Sequence, residues 1–396
     1  MTLLRNPALA DHRTQRLLEA LAKGGGQTRF VGGAVRDAIL GRPIADIDLA
    51  TTLLPDETML TLKKAGLIAK PTGIKHGTVT AIVDGRPFEI TTLRRDVTTD
   101  GRQATVEFTD DWRADAARRD FTINAMSADI DGNIYDYFGG EDDLKAGIIR
   151  FVGEAGERVR EDYLRILRFF RFHAWYGHSD PDPESIRAIA AGIDGLVHVS
   201  AERIRTEFFR LLSAPSITNT LETMSLSGVL EVLLGEPPKN IAAIETLPQD
   251  PVLRLAALVP GSSDIGDRLR LSKSERANLL ALAPPWTTLG LQTAEWQKAI
   301  YGIGIEVFVQ RAHLEALDGR ASLLEARLEL AQSWKTPVLP VKGSDLIKLG
   351  LTPGPAVTLL LNKLENRWID AGFSTNREAL LASAKEEIDG GGGDGY

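Results

Sequence analysis

The sequence contains no cysteine, so disulfide bonds and thiolate metal sites are excluded. Its six histidines show none of the spacings that zinc sites use. No run of about 18 apolar residues occurs, so we expect no segment that crosses a membrane. The N-terminal segment also lacks the long apolar core of a signal peptide, and the sequence therefore predicts a cytoplasmic protein with no membrane partner.

The sequence also has no excess of basic residues over acidic ones. The net charge is −8, whereas proteins that bind nucleic acid without specificity are usually basic overall. This charge is compatible with a local basic surface, because phosphate contacts depend on the local field rather than on the total charge. The 396 residues, 43% of them hydrophobic and 25% charged, have an ordinary globular composition. From the length we expect about two to four domains.

The most informative stretch is residues 29–51, RFVGGAVRDAILGRPIADIDLAT. It predicts a short buried strand, a helix that begins at the double glycine Gly32 and Gly33, and a second strand. Glycines at a helix start let backbone N–H groups approach phosphate oxygens, and Arg36, about one turn into the helix, can add charge-assisted bonds. The pattern therefore predicts a triphosphate-binding turn. The alternative is a helix start that needs glycine for its geometry alone.

Two carboxylates follow on the second predicted strand, Ile44–Ala50. Asp46 and Asp48 share one face of this strand, because strand side chains alternate. Behind a phosphate-binding turn, such a pair suits a two-metal transfer reaction with Mg²⁺, and solvated or helix-capping aspartates are the alternative. Glu89 is the candidate third carboxylate, since an unpaired charge is costly in the apolar strand FEITTL. The alternative interpretation is that Glu89 lies on an edge strand and is exposed to water.

A second polar cluster contains Arg118, Arg119, Asp120 and Asn124. Asp120 could accept a hydrogen bond from a ribose hydroxyl, a contact that separates ribonucleotides from deoxyribonucleotides. Arg119 could reach the nucleotide or the backbone of the primer. The alternative is an exposed charged turn in which Asp120 caps residues 121–127.

The third cluster lies in residues 158–176, RVREDYLRILRFFRFHAWY, which have the period of one amphipathic helix. At about 100° per residue, Asp162, Arg165 and Arg168 lie within about 120° of one another. Arg171 continues this series, and apolar residues fill the opposite face. The alternative is a salt-bridged surface stripe.

The functional interpretation of the third cluster concerns the pairing edges of the bases. Cytosine and adenine both present an amino donor beside a ring-nitrogen acceptor, whereas guanine and uracil place a carbonyl where the amino group would be. A carboxylate such as Asp162 accepts from the amino group and repels the carbonyl, and a guanidinium such as Arg165 donates to the ring nitrogen. One such pair selects C and A without a template, which predicts CTP and ATP as substrates.

The remaining sequence sets the fold class. The segment Arg94–Thr105, RRDVTTDGRQAT, is polar and without period, and it predicts a mobile loop. Beyond residue 158, strand signals fade and leucine- and alanine-rich helices dominate. The terminal GGGGDGY predicts a disordered tail. We therefore expect an α/β head followed by a helical remainder.

Five segments together resemble the class II CCA-adding tRNA nucleotidyltransferases and their relatives, the bacterial poly(A) polymerases. They are VGGAVRDAILGRPIADIDLAT, RRDFTINAM, EDYLRILRFFRF, SAERIRTEFFRLL and KGSDLIKLGLTPGPAV, in the order of that family. Residues 28–215 carry the main part of the resemblance. It implies a polymerase-β-like head with a small mixed sheet, followed by all-α neck, body and tail domains. The implied ranges are 1–150 for the head, 151–215 for the neck, 216–335 for the body, 336–390 for the tail and 391–396 for a disordered end.

The resemblance assigns most of the singled-out residues to one nucleotide. The positions implied to contact it are Gly33, Arg36, Arg119, Asp120, Asp162 and Arg165. Within this set, Asp120 is implied at the ribose, and Asp162 with Arg165 at the base. Asp46 and Asp48 would bind two catalytic Mg²⁺ ions.

Other positions have supporting roles in the family. Arg168 and Arg171 would lie near the nucleotide or the tRNA. Glu202 and Arg203 would brace the helix that reads the base. Residues 94–102 correspond to the flexible loop associated with the switch from CTP to ATP.

The sequence thus predicts a template-independent enzyme that adds CMP and AMP to the tRNA 3′ end. One alternative is poly(A) addition to RNA by the same site, although poly(A) polymerases of this family often carry basic extensions and this chain is acidic. The other alternative is a non-catalytic RNA-binding module. No phosphohydrolase motif follows the neck, so we expect no phosphatase activity, and no protein partner is predicted.

Overall fold

A computed structural model of the chain describes residues 6–100, 103–286 and 289–390. The backbone forms two compact units, residues 1–271 and 272–396. The predicted head and neck lie within the first unit and the predicted tail lies within the second. The predicted body, 216–335, contains the division between the units, and the four-domain organisation stays a prediction. The predicted disordered end, 391–396, lies outside the described residues.

A mixed sheet of seven strands forms the head, in the order β3-β4-β5-β2-β1-β8-β9. Only the pairing of β2 with β5 is parallel, and the neighbouring pairs are antiparallel. This confirms the predicted small mixed sheet. Its strands are β1 Thr28–Val31, β2 Asp48–Thr51, β3 Ile68–Gly73, β4 Thr78–Val83, β5 Arg86–Thr92, β8 Ser127–Ala128 and β9 Ile134–Tyr135.

Five short helices cover or flank this sheet. The leucines of the first helix, Leu17, Leu18 and Leu21, are buried, and the Asp11 carboxylate accepts the Arg13 N–H at its N-terminus. The strands β4 and β5 form the predicted hairpin. The helices of the head are α1 His12–Ala22, α2 Gly33–Ile39, α3 Pro55–Lys64, α4 Trp112–Ala117 and α5 Gly140–Ala146.

The segment predicted to be a loop forms a separate two-stranded sheet over its described residues, so the prediction of irregular structure was wrong. Strands β6 Arg94–Asp100 and β7 Gln103–Phe108 pair antiparallel, from Arg94 opposite Phe108 to Asp100 opposite Gln103. Ladder hydrogen bonds use backbone groups, so a two-stranded ribbon needs no apolar face of period two and leaves no such signal in the sequence. Residues 101 and 102 lie outside the described part of the chain.

The run of residues 158–176 is two helices rather than one. Helix α6 spans Ala155–Glu161 and α7 spans Leu164–Tyr176, and Asp162 between them has extended backbone angles, φ −153° and ψ 106°. The Asp162 carboxylate accepts the Leu164 backbone N–H at 3.1 Å, a local bond that competes with helix continuation. The rest of the first unit is helical, with α8 Pro183–Gly192, α9 Ala201–Leu212, α10 Thr218–Leu226, α11 Val229–Leu234, α12 Pro251–Leu258 and α13 Ile265–Arg268.

The second unit is helical and has two apolar core clusters. One cluster surrounds Trp296 and Phe308, and the other surrounds Leu364 and Trp368. Among the described residues, no helix combines the length and apolarity that a bilayer span requires. The helices are α14 Lys273–Ala281, α15 Thr293–Ile303, α16 Ile305–Glu315, α17 Leu324–Ser333, α18 Gly343–Lys348, α19 Pro355–Asp370 and α20 Arg377–Gly390.

Candidate active site

A cavity of about 440 Å³ in the first unit brings together the three polar clusters that are far apart in the sequence. All but one of its lining residues belong to those clusters, and the exception is Phe172. The lining residues are Gly32, Gly33, Arg36, Asp48, Arg119, Asp120, Asn124, Asp162, Arg165, Arg168 and Phe172.

The carboxylates of the head meet at the start of β2. Asp48 is the first residue of β2 and lies opposite Glu89 of β5 in the parallel pairing. Burial raises the pKa of Asp48, the Glu89 and Asp46 carboxylates raise it further, and Arg119 opposes the shift. The three acidic side chains are therefore close enough to feel one another's charge.

Asp46 precedes the strand instead of lying on it, so the predicted strand Ile44–Ala50 was too long. Strand β1 pairs with β2 only as far as Phe30 opposite Leu49, and the chain then turns at Gly32. Residues 44–47 consequently have no β1 residue opposite them. Solvent accessibility still alternates here: Ile47 is buried, whereas Asp46 and Asp48 keep accessible surface. The accessible surface of Asp48 faces the cavity, whose walls partly desolvate its carboxylate.

The donor chemistry of these carboxylates fits a divalent cation whose coordination a nucleotide completes. Mg²⁺ is commonly held by one or two carboxylates together with substrate phosphates, rather than by an all-protein cage. In the described ranges, no three acidic, histidine or cysteine side chains are arranged to hold one ion by themselves. Asp46 and Asp48 are the residues that would hold it, with Glu89 adjacent.

The glycine turn is closely packed against Arg119. Gly32 has a φ of 64°, and a Cβ built on it would lie 3.1 Å from Arg119 Nη1. Helix α2 then begins at Gly33. Burial lowers the pKa of Arg119 against the opposing charge of Asp115, whose carboxylate lies 3.3 Å from Arg119 Nη2. The turn thus places a glycine backbone and a partly buried guanidinium, that of Arg119, next to each other in the cavity lining.

Arg36 projects from α2 and is itself buried, with 7% of its surface exposed. Its Nη1 donates to Asn124 Oδ1 at 2.7 Å, and its Nη2 donates to Tyr176 Oη at 2.7 Å. Asp37 accepts from Nε and Nη2, each at 3.0 Å. The guanidinium is therefore held in one orientation before any ligand binds.

Asp120 also lines the cavity, and its carboxylate accepts hydrogen bonds from three residues. Its Oδ1 accepts the Phe121 N–H at 2.9 Å and Asn124 Nδ2 at 3.1 Å, and its Oδ2 accepts Arg168 Nε at 2.8 Å. Burial raises the pKa of Asp120, but the Arg168 charge and these hydrogen bonds outweigh it and lower the pKa below its ordinary value. Asp120 is therefore an ionised, oriented acceptor.

The two predicted base-reading residues are held by separate partners. Asp162 Oδ2 accepts from Arg203 Nη2 at 2.7 Å. Arg165 Nη1 lies 2.5 Å from the Glu161 carboxylate and also donates to the Arg158 carbonyl at 3.0 Å. Each side chain is fixed by its own partner, and both line the cavity. The cavity therefore offers a carboxylate acceptor and a guanidinium donor to the edge of a ligand. Glu202, predicted with Arg203 to brace this region, is exposed on α9.

Arg171 is not one of the residues that line the cavity. Its Nε donates to Glu207 Oε2 at 2.5 Å, and Glu207 Oε1 lies 3.7 Å from Arg168 Nη1. Burial lowers the pKa of Arg171, and Glu207 opposes this. Contact between Arg171 and a nucleotide stays a prediction, as does the role of Glu89, which also lies outside the lining.

Two residues of this region, Phe172 and Glu207, were not singled out from the sequence. Phe172 follows Arg168 by four residues, so helical spacing alone places it on the same side of α7. Glu207 is 5% exposed although it is a glutamate. It lies in the segment SAERIRTEFFRLL, but only the fold shows that it faces two arginines of α7.

Two segments of the chain match known family models. Residues 28–150 match the family model described as "Poly A polymerase head domain". Residues 180–239 match the one described as "Probable RNA and SrmB- binding site of polymerase A".

Curated relatives match over nearly the whole chain. The Mus musculus protein named CCA tRNA nucleotidyltransferase 1, mitochondrial, is 36% identical, with 93% of this chain and 89% of the relative covered. The CCA-adding enzyme of Lactobacillus gasseri is 33% identical, with 92% and 94% covered.

Solved structures share the fold. The Bacillus stearothermophilus CCA-adding enzyme in complex with CTP has a TM-score of 0.71 and 28% identity, covering 98% of both chains. The Thermotoga maritima CCA-adding enzyme complexed with tRNA has a TM-score of 0.68, with 94% of both chains covered. At 21% identity, the second likeness concerns the fold alone.

Proposed function

The chain belongs to the family of the CCA-adding tRNA nucleotidyltransferases, and we propose that its cavity adds CMP and AMP to the 3′ end of tRNA without a template. It is a nucleotidyltransferase that uses CTP, ATP and tRNA. The observation that carries the residue-level account is the single cavity in which Asp48, the glycine turn, Asp120 and the pair Asp162 and Arg165 meet.

The reaction joins the 3′ hydroxyl of the tRNA to the α-phosphorus of the nucleotide and releases pyrophosphate. Asp46 and Asp48 would hold the divalent cations, for which we propose Mg²⁺. Bound there, such cations supply charge stabilisation at the attacking and leaving oxygens. The protein's own part is to orient the reacting groups, and orientation is a large share of catalysis in phosphoryl-type transfer.

The triphosphate and the ribose would contact different residues of the cavity lining. The backbone of Gly32 and Gly33 would approach phosphate oxygens, and the buried guanidinium of Arg36 lies beside them with its orientation already fixed. Asp120, ionised and fixed by Arg168 and Asn124, would accept from a ribose hydroxyl.

Base selection would depend on Asp162 and Arg165. The carboxylate would accept from the amino group of cytosine or adenine, and the guanidinium would donate to the adjacent ring nitrogen. Asp162 is bonded to Arg203, and Arg165 is bonded to Glu161. Binding of a base therefore need not break an ion pair between Asp162 and Arg165. A fixed carboxylate at this position repels the carbonyl of guanine or uracil.

The organisation into head, neck, body and tail domains remains our proposal for the chain. The prediction of a cytoplasmic location also stays a proposal, because the mouse and human relatives are named as mitochondrial enzymes.

The function can be tested with nucleotides supplied one at a time. On a tRNA that lacks its terminal CCA, we expect incorporation from CTP alone, and on a tRNA that ends in CC, incorporation from ATP alone. An unstructured RNA of the same length is the control substrate. Long A tracts on either RNA with ATP, and no C addition, would replace this proposal with poly(A) addition.

A further inference from the structure

Three side chains lie on successive turns of α7: Arg168, Phe172 and Tyr176. Their spacing of four residues places them in one row along the helix. Arg168 and Phe172 line the cavity, whereas Tyr176 lies beyond its lining. Tyr176 nevertheless contacts a cavity residue from another element, since its hydroxyl accepts from Arg36 of α2 at 2.7 Å.

A chain of hydrogen bonds leaves α7 at Tyr176 and returns to it at Arg168. From Arg36, Nη1 donates to Asn124 Oδ1 at 2.7 Å, and Asn124 Nδ2 donates to Asp120 Oδ1 at 3.1 Å. Asp120 Oδ2 then accepts from Arg168 Nε at 2.8 Å. These hydrogen bonds therefore form a closed circuit that begins and ends on α7. Between the guanidinium groups of Arg36 and Arg168, it passes through the Asn124 amide and the Asp120 carboxylate.

Only one orientation of the Asn124 amide satisfies this circuit. A guanidinium can only donate and an ionised carboxylate can only accept, so the amide oxygen must face Arg36 and the amide nitrogen must face Asp120. The lowered pKa of Asp120 keeps it ionised and so preserves this direction. Disturbing one end of the circuit consequently disturbs the groups at the other end.

Aromatic rings fill the space beside the circuit. The Arg36 guanidinium lies 4.0 Å from the Tyr176 ring centroid and 5.3 Å from that of Phe172. Arg168 lies 5.5 Å from the Phe172 ring, and the two rings are 5.9 Å apart. Guanidinium groups over aromatic faces are stabilised electrostatically, more so when shielded from water. Tyr176 therefore holds Arg36 by both its hydroxyl and its ring.

We propose that Tyr176 is a positioning residue for nucleotide binding, which acts through Arg36 and Asn124 to fix the triphosphate and ribose contacts relative to α7. This proposal rests on the proposed function, in which Arg36 meets the triphosphate and Asp120 meets the ribose. The spacing between these contacts and the helix that bears Arg165 is then set by the protein before the nucleotide arrives. Such preorganisation raises affinity because less order must be created on binding.

The same circuit separates affinity from base selection. Asp162 and Arg165 are outside it, held by Arg203 and Glu161. Loss of the Tyr176 hydroxyl should therefore weaken CTP and ATP binding alike, and it should leave the preference between them unchanged.

The test compares Tyr176→Phe, Tyr176→Leu and the control Trp175→Phe. The control removes a hydrogen bond of the adjacent residue, from Trp175 Nε1 to the Arg210 carbonyl at 2.8 Å, that does not lead to Arg36. We would measure KM and kcat for CTP and ATP, the Kd of CTP without tRNA by calorimetry, and the thermal midpoint.

For Tyr176→Phe we expect KM and Kd to rise roughly three- to tenfold for both nucleotides, about what a typical intramolecular hydrogen bond contributes, because Arg36 keeps its bonds to Asn124 and Asp37. We expect kcat within about twofold of wild type, since binding that is uniform along the reaction affects KM alone. Tyr176→Leu, which also lacks the ring, should show the larger loss, and Trp175→Phe should leave KM unchanged.

A lowered thermal midpoint with unchanged KM and Kd in Tyr176→Phe would show a purely structural role and overturn the proposal. A changed ratio of CTP to ATP efficiency would overturn it as well. If the wild-type protein adds no nucleotide to tRNA, the proposed function fails, and the calorimetric Kd of wild type against Tyr176→Phe still decides the positioning role.

Discussion

Asp48 of β2 lies opposite Glu89 of β5 in the one parallel pairing of the head sheet. The pairing brings a second carboxylate to an aspartate that burial already makes harder to ionise, and both effects raise the pKa of Asp48. Placing two carboxylates next to each other in this way does not stabilise the fold. It is the arrangement expected where a cation, bound with a nucleotide, compensates the negative charge.

Asp48→Asn should abolish nucleotide transfer while the chain still folds. We expect the rate of CMP addition to fall roughly a thousandfold or more, because charge stabilisation at the reacting oxygens is lost. The measurement is the initial rate at saturating CTP and Mg²⁺ on a tRNA lacking CCA. Asp56→Asn, at an exposed position in the first turn of α3, is the matched control. A rate for Asp48→Asn within tenfold of wild type would contradict the metal role.

Asp162→Ala should relax base selection. The preference for CTP over UTP, as a ratio of kcat/KM values, should fall roughly 5- to 150-fold, the range for one good pairing contact. Partial misfolding would lower both rates together and leave the ratio unchanged, so the ratio reports on the contact itself. Glu184→Ala, on an exposed site of α8, serves as control. Full retention of CTP selectivity would rule out Asp162 as a base reader.

Gly32→Ala should impair both stability and nucleotide binding. A positive φ is strained for alanine, at roughly 1–3 kcal/mol, and the new Cβ would lie 3.1 Å from Arg119 Nη1. Gly25→Ala provides a close comparison, because Gly25 also has a positive φ, 83°, but nothing lies within 4 Å of its Cβ position. We expect both variants to lose stability and only Gly32→Ala to raise KM for CTP. Equal KM values would show that the turn does not contact the nucleotide.

The charge on Asp120 should make stability depend on pH in a defined direction. Its folded-state pKa is lowered from the ordinary 3.8, so its contribution is present above that value and is lost as pH falls through the folded-state pKa. Asp120→Asn should destabilise the protein at pH 7 by about 3 kcal/mol, as for a broken buried pair.

That difference should shrink as the pH is lowered toward the acid range. The check is urea denaturation of both proteins at several pH values, with Asp131→Asn, in an exposed turn, as control. A difference that stays constant down to low pH would mean that Asp120 is not held ionised by Arg168.

Much of the candidate site could be predicted because its chemistry is local in the sequence. The glycine turn, the two aspartates after it and the carboxylate–guanidinium series each need particular residue types at short spacings. Gly32, Asp48, Asp120, Asp162 and Arg165 were identified in this way, and the fold places all five in one cavity.

The parts that failed depend on contacts that no local pattern records. The helical period continues across Asp162, and only its bond to the Leu164 N–H shows where α6 ends. Likewise, Tyr176 and Arg36 are 140 positions apart, and nothing in either segment indicates that they touch. The start of strand β2 near Asp46 depends on where the neighbouring strand β1 ends, and this too is a feature of the tertiary structure.

The most direct test of the account is a competition in which all four nucleoside triphosphates are present at equal concentration. The enzyme would be incubated with tRNA lacking its terminal CCA, and the new 3′ ends would be sequenced. We predict ends that read CCA and then stop, without G or U. Runs of A, or G and U incorporated as readily as C, would contradict the assignment of this cavity to selective CCA addition.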